Sequence, residues 1–206
     1  MTPFIVAELS CNHLGSYDRA VRILEAAAEA GAEGFKIQAW EADAMCLDDS
    51  YTLSSGPWAG RRLVDLYKEA FTPTEWYEPL FDRCKRLGLV PFASVFDIPS
   101  LRILEGLDAA LHKISSFEIV DTHLIKAVAR TGKPMIISTG MATFEEIVRA
   151  WATAYMAGCR DITLLKCTSA YPAPASSINL TAMQRMAAAF SGSSTSVGLS
   201  DHTMGS

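Results

Sequence analysis

The sequence has no apolar run near the roughly 18–20 residues that cross a bilayer, which weighs against a membrane-spanning helix. It has no basic stripe either. Its 18 Lys and Arg are outnumbered by 23 Asp and Glu, for a net charge of −5 spread along the chain. Nucleic acid is therefore not an expected partner. The N-terminus, MTPFIVAELSCNH, lacks a basic leader and meets Glu8 almost at once, so it reads as a first strand and not as a signal peptide. The five cysteines, Cys11, Cys46, Cys84, Cys159 and Cys167, are odd in number and contain no CxxC. That argues against a disulfide framework or a structural zinc site and points to a reducing cytoplasm. Cys167, at the end of an apolar run, reads as a small buried residue ahead of a nucleophile. No GxGxxG follows the first strand, which weighs against a dinucleotide fold.

What is present is one pattern used again and again. Half of the 206 residues are apolar, enough for one globular domain with a sizeable core. Short apolar runs at 4–10, 34–40, 89–95, 111–116, 134–140, 162–169 and 195–202 predict strands. Amphipathic stretches predict helices over Tyr17–Ala30, Thr74–Leu87, Pro99–Leu107, Thr122–Thr131, Thr143–Ala157 and Leu180–Phe190. Thr143 and Glu146 have the spacing of a capping box. Gly31, Gly88, Gly132 and Gly158 follow helical patterns where a left-handed cap is wanted. The one long irregular connection, 41–73, is expected to hold a short helix over Arg61–Ala70 and to be functional. Alternating strands and helices imply parallel strands covered by helices. About seven such units predict an α/β fold, a (β/α)8 TIM barrel that is incomplete by its eighth strand. A doubly wound open sheet is the competing architecture.

The predicted strands begin apolar and end polar. In a parallel barrel those ends share one face. Lys36, Lys113 and Lys166 with Ser94, Ser116, Ser138 and Ser200 would then make a cationic, hydroxyl-rich mouth suited to a small phosphorylated acid. The turn at 138–140 would add backbone N–H groups, with Gly140 allowing close approach. The plainer alternatives are that each lysine pairs with a neighbouring acid and that each serine is a turn or cap residue. His13 and His202 are candidate metal ligands; the alternative for each is a hydrogen-bonded core histidine. One histidine alone does not make a divalent-metal site.

The stretches AELSCNHLGS, GFKIQAW, HKISSFEIVD, GKPMIISTGMAT-EEI, LLKCTSAYPAP and VGLSDHT, in this order, resemble the sialic acid synthase family. AELS, WAGRRLVDLYKEAFTPTEW, SSFEIVD and LLKCTSAYPAP are most similar to its pseudaminic acid synthase branch. The resemblance implies a barrel that condenses phosphoenolpyruvate with an N-acetylated amino sugar and needs a divalent cation, usually Mn2+, with Mg2+ or Co2+ as alternatives. By motif position, Lys36, Lys113, Ser116, Ser138, Ser169 and Ser200 would surround phosphoenolpyruvate. Glu8 and Tyr171 would lie near the acceptor sugar, and His202 would be one of two histidine ligands to the metal. Asn12, His13, Ser94 and Lys166 complete the candidate substrate-binding set. The resemblance implies a catalytic domain spanning 1–206, truncated before the eighth strand that carries the second histidine. It also implies that the family's small C-terminal antifreeze-like domain, which reaches the sugar across a homodimer interface, is absent. Leu14, Cys11, Val95 and Ser115 stand where the family usually has asparagine, glycine, proline and alanine.

The implied reaction starts with the cation polarising the sugar aldehyde, followed by attack of the phosphoenolpyruvate methylene. Water then captures C2 and phosphate leaves by C–O cleavage. Glu8 would orient or deprotonate that water, or handle the sugar's oxygen; its structural alternative is a salt bridge to Lys36. Lys113 and the serines would hold the phosphate. The branch predicts 2,4-diacetamido-2,4,6-trideoxy-altrose as acceptor and pseudaminic acid as product. N-acetylneuraminate or legionaminic acid synthesis is the nearest alternative. Further off lie a Schiff-base aldolase using Lys113 or Lys166, and a fragment that binds ligand without turnover.

Overall fold

The computed structural model describes residues 2–56 and 58–204. The expected domain span of 1–206 thus includes residues outside that description. The chain divides into two compact units, one up to Ala109 and one from Ala110 onward.

In the first unit, β1 (Val6–Glu8), β2 (Gly34–Ala39) and β3 (Val90–Val95) pair in that order, all parallel. They alternate with α1 (Tyr17–Glu29), α2 (Leu63–Ala70), α3 (Tyr77–Arg86) and α4 (Ile98–Gly106). Residues in register on parallel strands share a face, and successive residues alternate faces. Glu8, Lys36 and Phe92 are in register, and two residues on Gln38 faces Ser94 across the ladder. All five therefore share one face. The opposite face carries Phe35, Ile37, Ala93 and Val95, all buried, and α3 packs on β3 and on α1 through Leu80, Phe81 and Cys84. Burying Phe35 or Ile37 stabilises by about 1.5–3 kcal/mol each. Phe35→Ala would cost about 3–5 kcal/mol through the cavity it leaves.

In the second unit, β4 (His112–Ile114), β5 (Met135–Ser138), β6 (Ile162–Cys167) and β7 (Thr195–Ser200) form a parallel run in chain order. Between them lie α5 (Thr122–Ala129), α6 (Phe144–Met156) and α7 (Thr181–Ala189). The register puts His112, Ile114, Met135, Ile137, Ile162, Leu164, Lys166 and Val197 on one face. Helices cover that face. Both α6 and α7 pack on β6, α7 also packs on β7, and Trp151 Nε1 of α6 donates to Thr195 Oγ1 at 2.8 Å. The other face carries Lys113, Ile136, Ser138, Leu165, Cys167 and Ser200.

Helix starts follow their expected chemistry. Ser16 accepts from the Arg19 amide at 3.3 Å and Asp97 from the Ser100 amide at 2.6 Å. Asp121 Oδ1 caps two amides of α5, and Thr143 with Glu146 closes the expected capping box on α6. Such a cap contributes about 1 kcal/mol. Gly31, Gly88, Gly132 and Gly158 all adopt positive φ after helices, as their positions require. The predicted helix over Thr74–Leu87 opens as a 3-10 turn, Thr74–Trp76, before α3 begins. The long connection holds α2 as expected, tied to its surroundings by Arg62–Asp65 and Lys68–Asp43 pairs at 2.7 and 2.8 Å. These pairs are exposed and stabilise little.

Candidate active site

In the first unit the polar strand ends neutralise one another. Lys36, 8% exposed on an otherwise apolar strand, pairs with Glu8 and donates to Ser94 Oγ at 3.2 Å. Glu8 Oε1 also accepts from the Ser10 amide at 3.0 Å. The salt bridge considered as the alternative role for Glu8 is therefore present; it leaves the carboxylate one-third exposed at the strand end.

Two other candidates of this unit are engaged locally. Asn12 turns its amide back onto the Leu9 carbonyl at 3.0 Å. His13 is fully buried. Its Nδ1 accepts from the Gly15 amide at 3.1 Å, its Nε2 lies 3.5 Å from Thr72 Oγ1, and its ring meets Trp76 edge-on at 5.4 Å. Burial holds its pKa below the ordinary value, against a backbone hydrogen bond at Ala70. With both nitrogens engaged and no exposed edge, His13 pins the loop after β1 to the segment before α3. It has no lone pair to offer a metal, so of the two readings of His13 the hydrogen-bonded core histidine is the one the structure shows.

The second unit is different. Lys113 is as buried as Lys36, again 8% exposed, yet no carboxylate lies within ion-pair distance of it among the described residues. Burial pushes its amine down to about 8, opposed by the charges of Cys167 and Glu118. On the same face Ser138 Oγ is buried without a hydrogen-bond partner; Ser169 Oγ, just beyond the end of β6, is also buried and has only the Cys167 thiol as a partner. Each buried orphan of this kind costs about 1–3 kcal/mol unless something fills it. Ser116 Oγ accepts the Gly140 amide at 3.1 Å, so that amide is already engaged. Gly140 is required by space: a Cβ there would collide with Ser169 Oγ and Ser116 Oγ and press on Cys167 Sγ. Ser200 stands in register with Cys167.

His202 borders this cluster. Its Nδ1 lies 3.0 Å from the Thr168 carbonyl and 3.8 Å from Cys167 Sγ. The carbonyl contact makes Nδ1 the protonated nitrogen and leaves Nε2 for another partner. Hydrogen bonding to Cys167 raises the His202 pKa, against burial. The Tyr171 ring, half exposed, sits 4.4 Å from the imidazole, and burial raises its phenol pKa. As for a metal, His202 fits as one ligand, but among the described residues no group of three or more His, Cys, Asp or Glu is arranged to hold one.

Lys166 does not join the cluster. It follows Leu165 and precedes Cys167 on β6, so it points to the helix-covered face. There its Nζ donates to the Cys167 carbonyl at 2.6 Å and to Thr168 Oγ1 at 3.2 Å. This corrects the expectation of a shared lysine ring, and the reason is strand alternation. Cys167 was expected only as a small buried residue, and Glu118 was not singled out. Cys167 is buried, but its thiol faces His202 and Ser116. Burial alone would raise its pKa, and the hydrogen bonds from those two bring it down to about 7. Glu118 is half-buried, its Oε2 is buried without a hydrogen-bond partner, and burial raises its pKa. Its place, five residues beyond Lys113 in a single turn, was the available clue.

Residues 23–206 match the NeuB family. The chain is 41% identical to the pseudaminic acid synthase of Helicobacter pylori over 99% of its length and 60% of that protein's. It is 37% identical to a Campylobacter jejuni pseudaminic acid synthase, covering 98% of this chain and 59% of that one. The chain thus spans about 60% of the length of these relatives. The crystal structure of N-acetylneuraminic acid (sialic acid) synthetase from Leptospira borgpetersenii, in complex with citrate, superposes with a TM-score of 0.87 at 29% identity. It covers 98% of this chain and 66% of that one. A DAHP synthase from Thermotoga maritima, 12% identical with a TM-score of 0.69, shares the fold alone. The fold class is an incomplete (β/α)8 barrel, as expected from the alternation of strands and helices. By sequence and by structure, the chain belongs to the NeuB family.

Proposed function

We propose that this chain carries the phosphoenolpyruvate-handling part of a nonulosonic acid synthase. The favoured reaction joins phosphoenolpyruvate to 2,4-diacetamido-2,4,6-trideoxy-altrose, giving pseudaminic acid and phosphate. The branch choice is supported by the relatives named pseudaminic acid synthase at 37–41% identity; a legionaminic acid synthase of Campylobacter jejuni stands at 32%. One observation carries the reading. Among the described residues, a buried lysine with no carboxylate partner shares a face with the buried, unpartnered Ser138 hydroxyl, and an anion with several acceptor oxygens would satisfy both together.

The bond changes balance as follows. The methylene C3 of phosphoenolpyruvate attacks the sugar aldehyde carbon, and the aldehyde oxygen takes up a proton. Water adds to the resulting C2 cation and gives up a proton. The C2–O bond to phosphate then breaks, leaving a keto acid and inorganic phosphate. Lys113, Ser116, Ser138 and Ser169 hold the phosphate and carboxylate oxygens, with Ser200 at the edge of the set. Lys113 is the main electrostatic element, because a charge in a dry site acts more strongly than one in water. By resemblance, Glu8 would orient or deprotonate the water or handle the sugar's oxygen; within the first unit Lys36, itself bonded to Ser94, holds the Glu8 carboxylate in place. Tyr171 is assigned to the sugar. His202 Nε2 would ligate a divalent cation, by resemblance Mn2+, which supplies Lewis-acid polarisation of the aldehyde when bound. The reading carries with it a cytoplasmic location and a homodimeric full chain.

The test is phosphate release from phosphoenolpyruvate by the full-length protein with a panel of amino sugars. Release should occur with the 2,4-diacetamido-trideoxy sugar and stop on chelation. Release with N-acetylmannosamine alone would move the chain to another branch, and no release with any amino sugar would end the reading. A second reading rests on the Lys113 amine, held near 8 by burial. A desolvated lysine of that kind can form a Schiff base. Borohydride trapping of a keto substrate at Lys113 would favour that aldolase.

A further inference from the structure

The displaced Lys166 opens onto a cavity of about 320 Å3 within the second unit, on the helix-covered face of β5 and β6. Lys166, Arg185, Asn179 and Thr139 give it a polar side, and Phe144 and Ile147 an apolar one. Two cations therefore border one cavity. Neither has a carboxylate within ion-pair distance among the described residues. Like charges that share a small space without a counter-ion favour an incoming anion. The first turn of α7, which contributes Ala182, adds the positive end of its dipole. The volume suits a metabolite-sized ligand.

The cavity is also wired to His202. Lys166 Nζ holds the Cys167 carbonyl at 2.6 Å and Thr168 Oγ1 at 3.2 Å, and the Thr168 carbonyl lies 3.0 Å from His202 Nδ1. An anion that draws the Lys166 ammonium away from these oxygens releases the backbone segment that sets the imidazole. We propose that this cavity is an effector site. It binds a phosphorylated or carboxylated ligand with an apolar or aromatic part, and its occupancy is transmitted through Lys166 and Thr168 to His202. Cys167 also lines the cavity and is shared with the polar face assigned above to phosphoenolpyruvate, but Lys113, Ser116, Ser138, Ser169 and Ser200 of that assignment are not part of the lining.

The probe is phenyl phosphate, with inorganic phosphate as the comparison, titrated into the full-length protein carrying Lys113→Met. That background silences anion binding on the opposite face and makes the result independent of whether the proposed reaction occurs. Phenyl phosphate should bind about tenfold more tightly than inorganic phosphate, because the ring is buried against apolar lining. Lys166→Gln and Arg185→Gln should each weaken it about tenfold, the loss of one charge-assisted hydrogen bond. Arg185 is exposed, so its variant keeps the fold. The His202 imidazole resonance, assigned by its loss in His202→Gln, should move on titration in the Lys113→Met background and stay fixed in the added Arg185→Gln variant. Binding within about twofold of the parent in both charge variants would overturn the site. Binding that leaves the His202 resonance unmoved would overturn the linkage.

Discussion

Lys36 and Lys113 sit on the polar faces of their own strands, equally buried, and are treated in opposite ways. Lys36 has Glu8 and Ser94 within reach. Lys113 has no carboxylate partner among the described residues and lies on a face with the orphaned Ser138 hydroxyl. A buried charge is tolerated when it is paired, and is otherwise driven toward neutrality. The first unit resolves that demand within itself. The second leaves it open, which is the condition for binding an anion from solution. A folded chain thus reveals a ligand-binding lysine by what it lacks more than by what it touches.

The contrast can be broken in several places. The largest effect is expected at Lys113. Lys113→Met in the full-length protein should reduce phosphate release by about 10³-fold, the scale of losing a dominant electrostatic group. It should leave thermal stability equal or higher, because an uncompensated buried charge is removed. Glu8→Gln should act the other way on stability. Turnover should fall about 10²–10⁴-fold. Folding should weaken by about 1–3 kcal/mol as Lys36 loses its partner, while phosphoenolpyruvate affinity changes little. Denaturant titration of the two variants side by side checks the opposite signs; a loss of stability in Lys113→Met equal to that in Glu8→Gln would erase the distinction.

Gly140→Ala comes next. Its methyl would meet two serine hydroxyl groups and the Cys167 thiol. The expected cost is about 1–3 kcal/mol of overpacking, with phosphoenolpyruvate affinity lowered. Wild-type affinity with ordinary stability would show that the hydroxyl groups do not need that close approach. The smallest effect concerns pH. The folded Lys113 pKa is about 8 against an ordinary 10.5. Between those values the unfolded chain binds more protons than the folded one, so stability contributed at this site rises with pH. The Tm advantage of Lys113→Met over the parent should therefore shrink as pH goes from about 8 to about 10.5, and an advantage constant across that window would contradict the depressed pKa.

Much of this was legible in the chain itself. Alternation of apolar runs and amphipathic stretches placed all seven strands, and the Thr143–Glu146 pair and the four glycines marked helix ends, because those features are local. The faces were harder to read. Grouping residues by strand ends put Lys166 with Lys113, yet a side chain's face depends on odd or even position along the strand. Cys167, one residue later, shows which of the two neighbours faces the cluster. His13 could be read as a ligand or, more simply, as a hydrogen-bonded core residue; its contacts with Thr72 and Trp76, in a segment some sixty residues away, decide for the core. Cys167 was expected to be buried and is, but the environment of its thiol was not foreseen, for a related reason. A thiol is made unusual by neighbours distant in sequence, here His202, and composition does not reveal them.

The most direct measurement is calorimetry of phosphoenolpyruvate binding near pH 8.5 in buffers of different ionisation enthalpy. At that pH the phosphate monoester is already fully ionised, its second pKa being about 6, while the Lys113 amine, lowered by burial to about 8, has a substantial neutral fraction. Binding the anion beside it should recharge the amine, so the wild-type full-length protein should take up a substantial fraction of a proton and Lys113→Met none. Tight binding by the wild-type protein with no proton uptake, or the same uptake in Lys113→Met, would contradict the claim that this lysine is held in wait for the anion.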